Sequence, residues 1–205
     1  MDSRRKASLL MGSLLALLLI CLTALAALTG LFRPLYDPLN QMEPIAGIGG
    51  PLRLTAHTGE RVDTAQIGKP FAVFFGFTHC PEVCPTTLSE MTQTLSELGD
   101  SAKDLRVYFV TVDPERDTKD VMASYMGSFD KRMVGLVGAP AEINTVVNAY
   151  RAFARKVPTK DGDYTMDHTA TTYLMDGKGR LVGTLAYEEN AKVRLDKLKK
   201  LVSAS

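Results

Sequence analysis

The residues of this 205-residue chain best suited to chemistry gather in His79-Cys80-Pro81-Glu82-Val83-Cys84-Pro85. The chain has three cysteines, and Cys80 and Cys84 are the two that lie beyond its apolar N-terminal stretch. A cysteine binds metal or attacks a disulfide as the thiolate. If the stretch is helical, four residues rise about 6 Å, near the upper part of the Cα separations a disulfide spans. The pair can therefore close a bond or hold a metal between its sulfurs. A plain stabilising disulfide is the alternative, although a bridge across so short a loop removes little entropy from the unfolded chain. Placement favours site chemistry: the motif joins an apolar run to a helical pattern, and such strand–helix junctions gather functional groups in α/β folds. Pro85 suits a first helical turn, so the helix is expected to begin near it with Cys84 at its cap. The dipole at that end favours the thiolate.

The surrounding pattern alternates strands and helices. Leu52–Thr55 and Arg61-Val62 flank Thr58-Gly59 and read as a hairpin, and Phe71–Phe77 is a continuous apolar run typical of a strand buried on both faces. Leu88, Met91, Leu95 and Leu98 form one helix face, stopped by Gly99. A second buried strand is expected over Val107–Val112, a helix over 117–127 with Val121 and Tyr125 on one face, a strand over Met133–Val137 and a helix over 140–153. Thr171–Met175 and Arg180–Leu185 pair across Asp176–Gly179, and a last helix carries Val193, Leu195, Leu198 and Leu201. The pattern predicts an α/β, thioredoxin-like fold with an N-terminal β-hairpin extension.

Two thiolates are soft ligands that select copper(I) or zinc. A closed structural zinc site takes four Cys or His ligands, and the chain offers this cysteine pair and three histidines. His57 reads as a surface turn residue. His79, adjacent to Cys80, should point away from it as a packing or hydrogen-bonding residue. His168 precedes the terminal hairpin in Tyr164-Thr165-Met166-Asp167-His168-Thr169, a loop that a thioredoxin-like fold brings near the cysteine helix. Cys80, Cys84 and His168 then supply two sulfurs and one nitrogen, a trigonal set suited to copper(I). Asp167 is available to orient the imidazole or to reach copper in its higher oxidation state. The plainer reading is that His168 caps a loop and Asp167 starts a turn.

Composition excludes several classes. Hydrophobic residues at 45% and charged residues at 23% rule out a disordered chain and a polytopic membrane protein. A net charge of +1 gives no electrostatic reason to expect nucleic acid as a partner. The charge is uneven: four of 24 cations and one of 23 acids fall in residues 1–33, leaving 20 and 22 beyond, a net −2. Between Lys6 and Arg33 run 26 uncharged residues, enough for a helix to cross a hydrocarbon core of about 30 Å. Arg4-Arg5-Lys6 before the run keeps the N-terminus cytoplasmic. We expect a cytoplasmic N-terminus over 1–8, a transmembrane anchor over 9–32, a Pro- and Gly-rich linker over 33–50 and a single domain over 51–205. A cleaved signal peptide is the alternative, and Cys21 reads as an apolar filler. The expected location is the bacterial inner membrane, single-pass, with the soluble domain in the periplasm.

Three segments carry a resemblance. Phe75-Gly76-Phe77-Thr78-His79-Cys80-Pro81-Glu82-Val83-Cys84-Pro85-Thr86, Val112-Asp113-Pro114-Glu115-Arg116-Asp117-Thr118 and Asp163–Thr169 together resemble the Sco/SenC family over roughly residues 48–203. The resemblance implies a membrane-anchored, thioredoxin-like copper protein that helps assemble the dinuclear copper centre of cytochrome c oxidase. It places the copper ligands on Cys80, Cys84 and His168. The implied partners are the oxidase subunit holding that centre and a periplasmic copper donor. The expected role is a metallochaperone rather than an enzyme. The competing role is a thiol–disulfide reductase that keeps the oxidase cysteines reduced, and Cys-x-x-x-Cys in place of the usual Cys-x-x-Cys lowers it. A copper-responsive or redox-sensing interaction protein is a third reading. Asp113–Thr118 reads as a turn followed by an Asp117 helix cap, with a partner-docking surface as its alternative.

Overall fold

The computed structural model describes residues 16–18, 20–21 and 44–203. The first of these residues are helical, and no helix among the described residues is long and apolar enough to cross a membrane. The anchor expected over 9–32 lies otherwise outside the described residues, as does the linker up to residue 43.

An edge strand β1 (Ile45–Gly49) leads into the hairpin β2 (Arg53–Ala56) and β3 (Arg61–Asp63) and one helical turn, α1 (Thr64–Ile67). Then follow β4 (Phe71–Gly76), α2 (Val83–Leu98), a 3-10 turn, β5 (Arg106–Thr111), α3 (Lys119–Met126), β6 (Met133–Val137) and α4 (Pro140–Ala149). The chain ends with β7 (Ala154–Pro158), β8 (Tyr164–His168), β9 (Thr172–Met175), β10 (Arg180–Leu185) and α5 (Ala191–Ser203). Eight strands form one sheet in the order β1-β10-β9-β4-β5-β6-β2-β3, while β7 and β8 form a separate two-stranded sheet.

The parallel strands β4, β5 and β6 lie at the centre, with β9 antiparallel against β4. All six residues of β4 are buried because helices cover both faces. Phe74 and Phe109 stack at 6.0 Å on one face, which α2 and α3 cover. Phe75 points the other way and meets Tyr150, at the end of α4, and Tyr173 at 5.5 and 5.8 Å. Each such aromatic contributes roughly 1.5–3 kcal/mol on burial, so this strand is a fixed platform for whatever follows it. The arrangement is thioredoxin-like, as the alternation of elements implies, and the N-terminal hairpin adds β2 to the sheet edge beside β6.

Four local expectations are corrected. The tether read up to residue 50 already contains β1, which pairs with β10. Its glycines, with φ of 77° at Gly47 and 103° at Gly49, hide the strand from any apolar alternation. The loop read at Tyr164–His168 is strand β8, paired with β7 from Ala154↔His168 to Pro158↔Tyr164. Both strands are half exposed and rich in charge, so no periodic signal marks them. In α3 the buried pair is Met122 and Met126, and Val121 is exposed. These methionines lie against Gly135, where a β-carbon would sit 2.5 Å from Met122 Cγ. In α5, Leu198 and Leu201 are buried as expected, whereas Val193 is exposed.

Candidate metal centre

The rigid end of β4 delivers the chain into the loop Phe77–Glu82, and two interactions set its shape. The Cys80 amide donates to the Phe77 carbonyl at 3.2 Å, closing a turn. Thr78 donates through its amide and its hydroxyl to the Asp117 carboxylate, at 3.1 and 2.7 Å. Helix α2 then begins at Val83 with Glu82 at its cap, two residues earlier than Pro85 suggests. Pro85 is tolerated because the amides of the first turn have no intrahelical partner, and the Thr86 amide makes the first return bond, to the Glu82 carbonyl at 3.1 Å. Cys84 is therefore inside the first turn rather than at the cap, its side chain directed under the sheet against Gly76.

Hairpin β7–β8 brings His168 to the same place. Its ring sits edge-on to Phe74 and Phe77, with centroids at 6.0 and 5.8 Å. His168 Nδ1 lies 3.1 Å from the Thr169 carbonyl oxygen. A carbonyl can only accept, so Nδ1 carries the hydrogen and Nε2 keeps its lone pair. That lone pair faces Cys84 Sγ at 3.5 Å. The ligating atoms of Cys80, Cys84 and His168 all lie within 4.8 Å of one another. Both cysteines are free.

The two thiols behave as a unit. The Cys84 amide donates to Cys80 Sγ at 3.3 Å. A hydrogen bond from the Cys84 thiol, helped by the amides of Cys84 and Glu82, holds Cys80 down to about 4 against the cost of partial burial. The same hydrogen bond, then burial and the neighbouring charge, push Cys84 well above the ordinary thiol range. One thiolate and one thiol thus share a proton. Two sulfurs and an imidazole nitrogen form a soft donor set of the kind that takes copper(I) or zinc. Cys80 and His168 border an open cleft of about 300 Å³, also lined by Glu82 and Met166.

The SCO1/SenC family profile matches residues 40–203. The chain belongs to the SCO1/SenC family. Bradyrhizobium japonicum ScoI, solved with copper bound, is 48% identical and superposes with a TM-score of 0.70, covering 75% of this chain and 99% of that one. Copper-bound ScoI of Arabidopsis thaliana is 33% identical with a TM-score of 0.71, covering 77% and 99%. A human mitochondrial SCO1 homolog is 42% identical over 139 residues, 66% of this chain and 46% of that protein. The match thus spans less than half the length of the human relative.

Other residues of this SCO1/SenC chain fall into place around the triad. His57 is not part of it: its Nδ1 accepts from the Gly135 amide at 3.0 Å, tying the β2–β3 turn to β6. His79 turns outward, as its position beside Cys80 implies, with Nδ1 3.1 Å from Thr78 Oγ1 and its side chain 53% exposed. Asp167 does not orient the imidazole. Neighbouring residues of a strand face opposite sides, and Asp167 pairs across the hairpin with Arg155 at 2.8 Å, leaving the Thr169 carbonyl to hold His168.

Asp117 is not the cap of α3 either. Thr118 caps that helix, its Oγ1 accepting from the Val121 amide at 3.3 Å. Asp117 is turned inward, 1% exposed, and also accepts from Thr111 Oγ1 at 2.6 Å. Its carboxylate thereby ties the end of β5 to the cysteine loop. Asp113 is fully buried as well, against Arg116 and Tyr164. A local reading of Asp113–Thr118 as a turn misses both roles, because Thr78 and Tyr164, which they hold, lie 39 and 51 residues away in the chain.

Proposed function

We propose that this SCO1/SenC chain binds copper through Cys80 Sγ, Cys84 Sγ and His168 Nε2, and acts as a metallochaperone in assembly of the dinuclear copper centre of cytochrome c oxidase. The observation that carries the reading is the convergence of the three ligand atoms within 4.8 Å, with the other ring nitrogen of His168 already committed to the Thr169 carbonyl. The copper bound in two relatives of the same fold supports the choice of metal. In this reading the segment 9–32 anchors the chain in the bacterial inner membrane, and the domain works in the periplasm. Its partners are a periplasmic copper donor and the oxidase subunit that receives the metal.

Transfer proceeds by ligand exchange. Three ligands leave a soft metal open to an incoming thiolate from the cleft side. Cys84 is anchored in a helix packed on the sheet, whereas His168 rides on a separate hairpin, so the imidazole is the ligand most easily withdrawn. The test is copper(I) titration of the purified full-length chain against a competing chelator, with His168→Ala beside the parent. A sharp loss of affinity in the variant is expected. Unchanged affinity removes His168 from the site.

One observation favours a second role, a thiol–disulfide reductase: Cys80 is the more accessible thiol and is held as the thiolate. Cys80 would attack a disulfide of the recipient, forming a mixed disulfide and releasing one recipient thiolate. Cys84, losing its proton, would then attack Cys80 Sγ and release the second. The recipient is reduced and the Cys80–Cys84 pair oxidised, two electrons balancing. Disulfide exchange that is indifferent to His168→Ala would mark this role.

A further inference from the structure

The imidazole reaches the two thiols only if hairpin β7–β8 is held at the right place and angle, yet these strands do not join the main sheet. The structure therefore needs another device to fix the hairpin. One lies at its far end. Strand β8 begins at Tyr164 and ends at His168, a stiff segment about 13 Å long at 3.3 Å per residue. Displacement at Tyr164 is thus transmitted to the imidazole.

Tyr164 is gripped on three sides by the loop that follows β5. Its hydroxyl donates to Asp113 Oδ1 at 2.9 Å. Arg116 Nη1 donates to the Tyr164 carbonyl at 2.8 Å, and the guanidinium lies over the Tyr164 ring at 3.8 Å from its centroid. Arg116 Nε donates to the other oxygen of Asp113, whose side chain has no exposure at all. A buried carboxylate thus orients both members of the pair, and it is itself neutralised by the arginine. Phe77 extends the grip to the site: its ring lies 5.9 Å from the Arg116 guanidinium and 5.8 Å from the His168 ring. Two more charges at this end belong to the same cluster: Asp163 Oδ1 accepts from Arg116 Nη1 at 3.4 Å, and Lys156, paired with Glu115, lies 4.4 Å from the Tyr164 ring centroid.

We propose that Arg116, oriented by Asp113, is the positioning residue of the metal centre: it clamps Tyr164 so that β8 delivers His168 to Cys80 and Cys84. The clamp touches neither metal nor thiol and acts through the histidine. The proposal rests on the copper reading for its consequence but not for its geometry. Arg116→Ala should free the hairpin end, and Tyr164→Phe should loosen it by removing only the bond to Asp113.

The experiment is a double-mutant cycle on the purified full-length chain, read by chelator competition for copper(I). Arg116→Ala should weaken binding by roughly 10- to 100-fold, the range typical of groups that orient a metal ligand. In a His168→Ala background the same change should cost nothing further, because the residue it positions is gone. Equal losses in the two backgrounds, or none in the parent, would overturn the proposal. Where Arg116→Ala does not fold, Tyr164→Phe and Arg116→Lys take its place in the cycle. A second readout is independent of copper. In the metal-free protein, nuclear Overhauser contacts between the His168 ring and the rings of Phe74 and Phe77 should be present in the parent and lost in the Arg116 variant. Their persistence refutes the clamp. Their loss beside an unchanged copper affinity in His168→Ala would uphold the clamp and overturn the copper role of His168 instead.

Discussion

Cys84 Sγ lies 2.7 Å from the point where a β-carbon would stand on Gly76, closer than any side chain allows. The last residue of β4 is therefore glycine because the second sulfur of the site occupies the space beside it. Phe109 closes the same space from β5, with Cε2 2.5 Å from that point. Both neighbours are packed, Cys84 by its helix and Phe109 by stacking on Phe74, so neither can retreat cheaply.

Gly76→Ala should accordingly displace the sulfur. Overpacking of this kind costs roughly 1–3 kcal/mol. The expected outcome is a lower midpoint of denaturant unfolding together with weaker copper binding, measured on the same preparation.

The unequal thiols make a second prediction. Cys80 is depressed to about 4, so its thiolate persists as pH falls and is lost only on passing through that value, while Cys84 keeps its proton. Iodoacetamide should modify Cys80 at pH 5 to 6, where an ordinary thiol with a pKa of about 8.5 is nearly inert. Peptide mass mapping should find Cys84 unmodified. Equal labelling of the two would mean that the shared proton does not exist in solution.

The same sharing fixes the proton count of metal binding. Near pH 7.5 only Cys84 has a proton to release, so the pair should lose about one per metal bound rather than two. Calorimetry in buffers of different ionisation enthalpy reads this number directly.

Asp117→Asn should loosen the cysteine loop. The carboxylate accepts from the Thr78 amide, the Thr78 hydroxyl and the Thr111 hydroxyl in a buried setting. An amide cannot accept at its nitrogen, so a buried donor loses its partner at a cost of about 1–3 kcal/mol. Unfolding free energy should fall by that amount.

Asp167→Asn is the contrasting case. Its pair with Arg155 is exposed, at 50% and 65%, and such pairs contribute about 0–1 kcal/mol. Stability and copper affinity should both stay near the parent values. A marked loss of affinity would restore Asp167 to the site.

What the sequence discloses follows how local each feature is. Phe71–Gly76 and the Leu88, Met91, Leu95 and Leu98 face are legible because their burial repeats along the chain. The cysteine pair is legible because two soft ligands fall at one strand–helix junction. The β7–β8 hairpin is not, since its residues are held by partners elsewhere rather than by an apolar stripe. Arg116 illustrates why: its part depends on Tyr164, 48 residues later, and nothing in the immediate pattern distinguishes it from a turn arginine. Asp167 shows the opposite error, a residue adjacent to His168 that faces the other side of its strand.

The distance along the chain between Cys84 and His168, 84 residues, has a thermodynamic meaning. A metal joining them is a removable crosslink across nearly half the protein, tying a helix under the sheet to an arm outside it. Because the unfolded chain cannot present the three groups together, the metal favours the folded form by mass action. Loading should therefore raise the melting temperature and slow amide exchange along β8 most of all. In the proposed role, handing the metal on releases that crosslink and leaves the donor less rigid than before.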